Sequence, residues 1–174
     1  MRQYIDLHNE IERLWMDKMV FTWHWWVDAA LAVLPWILWF MVRDRKNTHN
    51  LLYAGLFSML AATLLDMVGV KQGGWKYNTW FLPFLTEFLP WDLSVMPVTA
   101  MLFYQFIPKI SPWIKGAAFG AIAAYIVEPI FIWLGFYEPS NWELHYSLPI
   151  YFAIYMIGHS LYTRKRVEQG DAAP

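Results

Sequence analysis

Residues 19–46 read MVFTWHWWVDAALAVLPWILWFMVRDRK. Up to Val42 the stretch is dominated by apolar and aromatic side chains with one acid, Asp28, and it stops at Arg43, Arg45 and Lys46. A helix rises 1.5 Å per residue and the hydrocarbon core of a bilayer is roughly 30 Å thick, so ~20 such residues suffice to span it. Lys and Arg collect at the cytoplasmic ends of such helices. The stretch therefore predicts a transmembrane helix whose inner end is the basic run. Comparable apolar runs lie at about 49–70, 91–107, 113–136 and 146–163, the third somewhat short. The predicted fold class is all-α: a polytopic membrane helix bundle with five transmembrane helices.

Composition supports that solvent. Of 174 residues, 58% are hydrophobic, 20% aromatic and 16% charged, whereas roughly a quarter of a soluble domain is charged. The net charge of −1 and the scarcity of basic residues argue against a nucleic-acid partner. With no cysteine, disulfides, thiolate nucleophiles and Cys-ligated metals are excluded.

The connections set the expected orientation. Arg43, Arg45 and Lys46, then Lys109 and Lys115, then Arg164, Lys165 and Arg166 fall on one side of a five-span arrangement. The loop from Tyr137 to His145 on the other side has Glu138 and Glu143 and no Lys or Arg. This predicts a multi-pass membrane protein with the N-terminus outside and the C-terminus inside. Residues 1–18 lack the regions of a cleavable signal peptide. Ile5, Ile11, Leu14, Trp15 and Met19 recur near helical spacing, which reads either as an N-terminal amphipathic helix on the outer surface or as a polar extension of the first span. Residues 19–163 form the expected membrane domain, and 164–174 a cytoplasmic tail that becomes disordered from Val167.

An ionisable side chain at a helix centre costs perhaps ~2.5–3.5 kcal/mol to insert, so each one needs a partner or a purpose. His24 and Asp28 share a helix face, Asp66 lies near the outer end of the second span, Asp92 opens the third, and Glu128 is inside the fourth. All five fall in the outer half. Asp66, Asp92 and Glu128 are the candidate catalytic acids; the alternative is that they hydrogen-bond to Trp, Tyr and Thr groups and pin the bundle. His24 and Asp28 alone are too few for a metal site, and no metal or cofactor is expected. His159, near Tyr155 and Tyr162, reads as structural.

Segment 71–90 is an aromatic loop in this reading. Gly73 and Gly74 permit a turn, and Trp75, Tyr77, Trp80, Phe81, Phe84 and Phe88 follow, interrupted by Pro83 and Pro90. Such a segment folds over the outer mouth as a lid or re-entrant loop, or lies as an interfacial belt. Pro97, Pro129 and Pro149 predict kinks, two of them beside Asp92 and Glu128.

WHWWVD at 23–28, LPWILWF at 34–40, LLYAGLF at 51–57, LLDMVGV at 64–70, GWKY at 74–77, LPWDLSVMPV at 89–98, EPIFIWLGFY at 128–137 and YSLPIY at 146–151 carry a resemblance over nearly the whole chain. With them the sequence resembles a family of small five-helix integral membrane proteins of spore-forming bacteria, which implies topology and no activity. Asp66, Gly69, GWKYN at 74–78 and LPWD at 89–92 are also similar to the lycopene-cyclase domain of membrane terpenoid cyclases. That likeness covers about residues 64–105, and departs where the domain has paired acids after the proline and this chain has Trp91 and then Asp92.

The second resemblance implies proton-initiated cyclisation of an isoprenoid that enters from the bilayer. An acid in a low-dielectric pocket delivers a proton to an alkene, and aromatic faces stabilise the resulting cation. His24, Asp28, Trp75, Tyr77, Trp91 and Trp133 are the expected substrate-binding residues. The expected partner is a membrane lipid or isoprenoid, and assembly as a homo- or hetero-oligomer stays open. The competing functions are a non-catalytic lipid-binding or structural subunit of an envelope or spore-membrane assembly, and a proton-coupled transporter; inverted repeats that would favour the last are absent from the sequence.

Overall fold

The computed structural model describes residues 2–83, 87–106 and 108–168, and they are mostly helical. Three helical stretches are long and apolar enough to cross a membrane: α2 (Trp23–Val42), α3 (Thr48–Lys71) and the continuous run Pro112–Trp133. That run comprises α5 (Pro112–Ile122), a π-helical turn (Ala123–Val127) and α6 (Glu128–Trp133). The stretch expected at 91–107 is a second π-helical turn (Trp91–Val95) followed by α4 (Met96–Gln105). The final helix, α7 (Leu144–Glu168), is diluted by Tyr146, Tyr151, Tyr155, His159 and Tyr162.

Residues Arg2–Lys18 form a helix of their own, α1, rather than an extension of α2. The break comes at Phe21, whose φ of 61° belongs to the left-handed region, and Thr22 then caps α2 by accepting from Trp25 N through its hydroxyl at 3.4 Å. Trp15 and Ile11 are half-buried one turn apart, and the Trp15 indole donates to Trp80 O at 2.8 Å. At the other terminus α7 runs on to Glu168, past the expected start of the tail. Arg164, Lys165, Arg166 and Glu168 are good helix formers, which carry the helix on; residues 169–174 lie outside the description.

The fold is not wholly helical. Trp75–Tyr77 (β1) pairs antiparallel with Tyr137–Pro139 (β2), with Lys76 opposite Glu138 in a 3.1 Å ion pair. This ribbon ties the α3–α4 connection to the α6–α7 connection, so part of the segment read as a lid is a strand. Phe84 lies outside the described residues.

In the bundle α3 lies against both α4 and α7, α5 packs on α7, and α2 packs on α4 and the π turn before it. Gly116 and Gly120, one turn apart on α5, give the close approach to α7: a Cβ on Gly116 would meet the Tyr155 ring at 2.9 Å, and one on Gly120 the Leu148 carbonyl at 2.9 Å. Small residues at this spacing let membrane helices gain van der Waals contact where no hydrophobic drive exists between them. The core is built around Trp39, Leu51, Ala54, Met96, Met101 and Tyr155.

Candidate functional site

At the end of the bundle that bears the ribbon, a cavity opens between α3, α7, α6 and the first π turn. Its volume is about 100 Å³, below the ~300–1,000 Å³ of sites that take drug-sized ligands. Asp66, Asp92 and Glu128, each from a different helix, line it together, as do Trp75, Tyr77 and Trp91.

Asp66 sits on the last turns of α3 and is 6% exposed. Its Oδ1 accepts from the Trp75 indole and from the Tyr77 hydroxyl, both at 2.7 Å, and its Oδ2 from Phe88 N at 3.1 Å. One carboxylate thus holds Trp75, Tyr77 and Phe88, the residues of the α3–α4 connection that line the cavity. The contact requires a glycine, because a Cβ on Gly69 would stand 1.9 Å from the Trp75 ring. Burial, and next the Asp66 charge beside it, push the Tyr77 hydroxyl well above its ordinary pKa, so it serves as a neutral donor. Tyr137 on β2 is raised for the same first reason, followed by the charges of Glu128 and Asp66.

Asp92 is placed by the first π turn. Pro97 has no N–H to offer Leu93 O; Met96 N donates back to Trp91 O, and the Leu93 carbonyl accepts from the Trp36 indole at 3.1 Å. The wider turn aims Asp92 into the bundle, where it is 2% exposed and its Oδ2 has no hydrogen-bond partner among the described residues. Glu128 follows the second π turn, with Glu128 N donating to Ala123 O and Pro129 next in the chain. Its Oε2 accepts from Ser147 Oγ at 3.1 Å, which accepts from the Trp142 indole at 2.9 Å, and the Tyr151 hydroxyl also bonds to this carboxyl. Turns of π-helix recur at functional positions because they redirect one side chain without ending the helix. The irregularities expected at Pro97 and Pro129 take this form, whereas Pro149 lies inside an unbroken α7.

Three expected site residues lie elsewhere. Trp133 is 83% exposed: at 100° per residue it points roughly 140° away from Glu128 on the same helix. His24 packs on Trp23 and Phe136 and donates to Leu134 O at 3.3 Å, outside the cavity. Asp28 is fully buried with both carboxyl oxygens unpartnered among the described residues, yet its side chain forms no wall of the cavity. His159 stacks on Tyr155 at 6.2 Å, in keeping with a structural role. Among the described residues no group of three His, Cys, Asp or Glu side chains is arranged to hold a metal ion.

Reasoning from the sequence missed Tyr137, Trp142, Ser147 and Tyr151, all of which line the cavity. Ser147, Tyr151 and Ile154 follow i, i+4, i+7 spacing, a signal for one helix face that was present in the sequence. Comparison with protein-family models, curated proteins and solved structures finds no match to this chain.

Proposed function

We propose that this is an integral protein of the bacterial cytoplasmic membrane that binds an isoprenoid in the cavity and starts its cyclisation or isomerisation by protonation. The observation that carries the reading is the meeting of Asp66, Asp92 and Glu128 from three helices on one cavity walled by aromatic rings. The uncommitted Asp92 Oδ2 makes Asp92 the proton donor. Its O–H bond breaks, the alkene π pair forms a C–H bond, and the cation left behind is closed by a second double bond and quenched by proton loss to a carboxylate. The product is an isomer of the substrate, so no oxidant or reductant is consumed. Ring faces lower the energy of the cation, and Asp66, held by three donors, positions the wall.

The same proposal includes five spans, with α4 and α7 added to the three apolar stretches, the N-terminus outside, the C-terminus inside, and α1 on the outer surface. It also includes membership of the five-helix family of spore-forming bacteria, on the motif stretches quoted above. Leu65, 43% exposed on α3, lines the cavity and supports entry from the side of the bundle. Because the chain has no cysteine, single cysteines at exposed Asn78 and Arg45 give a clean test. An impermeant thiol reagent labels them from opposite faces; labelling from one face refutes the topology.

A non-catalytic lipid-binding or structural role is the second reading, favoured by the internal hydrogen bonds that already occupy Asp66 and Glu128. Incubating purified protein with a panel of linear isoprenoids separates the two. Cyclic or isomerised products are expected, with turnover lowered by about 10² or more in Asp92→Asn. No product from any chain, together with full activity of the Asn variant in restoring a deletion strain, refutes catalysis.

A further inference from the structure

The cavity has three carboxyl groups on its walls and no Lys, Arg or His among its described lining residues. One of those groups, Asp92, is 2% exposed with Oδ2 unpartnered among the described residues, and that atom belongs to a side chain lining the open space. Around the acids stand Trp75, Tyr77, Trp91, Tyr137, Trp142 and Tyr151. Such a site is electrostatically one-sided: a carboxyl buried there keeps its proton until a positive partner enters and stabilises the carboxylate, and ring faces add to the attraction for a cation. The acids are not gathered as metal ligands are, which favours a large, diffuse cation over a compact metal ion.

We infer that the cavity binds an alkylammonium group, as a ligand in its own right. A trimethylammonium head has the size and spread charge that an aromatic box with carboxylates recognises, and it needs few directed hydrogen bonds. A phosphate next to the ammonium weakens the fit, since nothing cationic lines the walls to receive it. The head arrives either on an apolar chain from the bilayer or as a free solute. The inference goes beyond the isoprenoid reading and does not depend on it.

The test uses full-length protein in nonionic detergent and titration calorimetry with two matched pairs. Choline is compared with 3,3-dimethylbutan-1-ol, in which carbon replaces the nitrogen, and dodecyltrimethylammonium with dodecan-1-ol. Each cation is expected to bind about tenfold or more tighter than its uncharged counterpart. The preference is expected to fall in Asp92→Asn and in Glu128→Gln, each checked for an unchanged thermal midpoint, and to persist in Trp133→Ala. A gain for the dodecyl cation over choline that exceeds the gain between the two alcohols identifies a lipid-borne head; equal gains identify a free solute. Equal binding of cation and alcohol in both pairs, or a preference untouched in both acid variants, overturns the inference. Isoprenoid conversion without the ammonium preference removes this inference and leaves the proposed function; the preference without conversion does the reverse.

Discussion

The two ends of the bundle both bury polar groups among aromatic rings, and they use them in opposite ways. At the end away from the ribbon, two polar side chains are spent on helix termini. Lys115, 8% exposed, donates to Phe103 O at 2.8 Å and Phe106 O at 2.9 Å and closes the end of α4. Gln105 donates to Val42 O at 3.2 Å and accepts from Asp44 N at 3.1 Å, closing α2. Tyr104 fills the space left by Gly158, where a Cβ would stand 2.2 Å from its hydroxyl. At the ribbon end Asp66 is committed, Glu128 is held by Ser147 and Tyr151, and Asp92 Oδ2 has no partner among the described residues. Buried polarity is thus shared by both ends; space beside an unspent acceptor belongs to one.

If that contrast is right, breaking the closed end costs stability and spares the cavity. Lys115→Met leaves two helix-end carbonyls without a donor and is expected to cost about 2–6 kcal/mol in detergent unfolding, at ~1–3 kcal/mol for each unsatisfied group. Ligand binding at the cavity should survive it below the unfolding transition. A loss under about 0.5 kcal/mol would mean that the two ends do not differ as described.

Within the ribbon end, Asp66 and Asp92 sharpen the contrast. Asp66→Ala strands the Trp75 indole, the Tyr77 hydroxyl and Phe88 N, for an expected loss of about 3 kcal/mol or more and faster amide exchange at Trp75–Tyr77. Asp92→Asn should change stability by less than about 1 kcal/mol, because no hydrogen bond to Oδ2 is lost. Similar losses from the two would show that both acids are pins. The smallest effect is expected from Trp133→Ala, within about 0.5 kcal/mol and with unchanged cavity binding, since that ring is 83% exposed.

The acids were legible because a carboxyl inside an apolar run is costly and so conspicuous; nothing else about Asp66, Asp92 and Glu128 had to be known to single them out. That they come out on one cavity depends on which way each helix turns, and there the sequence was less informative. Trp133 was placed at the site by residue type, and helical phase turns it away. Asp28 is as buried as the other acids, on a helix that contributes no residue to the cavity wall. The break at Phe21 is a single backbone angle with no composition to announce it. The ribbon went unread because three-residue strands of Trp, Lys and Tyr look like any aromatic loop until the matching Tyr137–Pro139 is beside them. Tyr151 was hidden among similar tyrosines although its spacing from Ser147 was available.

Each π turn lodges about one surplus residue in its helix. That surplus is taken up locally, so Met96–Gln105 and Pro112–Ile122 keep regular winding while the widened turn decides which side chain faces the cavity. Deleting a single residue within Trp91–Val95 would let the helix revert to regular winding and put a neighbouring side chain, roughly 100° around the axis, in the place of Asp92. Insertions and deletions at these two points are therefore a discrete dial for the chemistry of the cavity, turned without disturbing the anchorage beyond it.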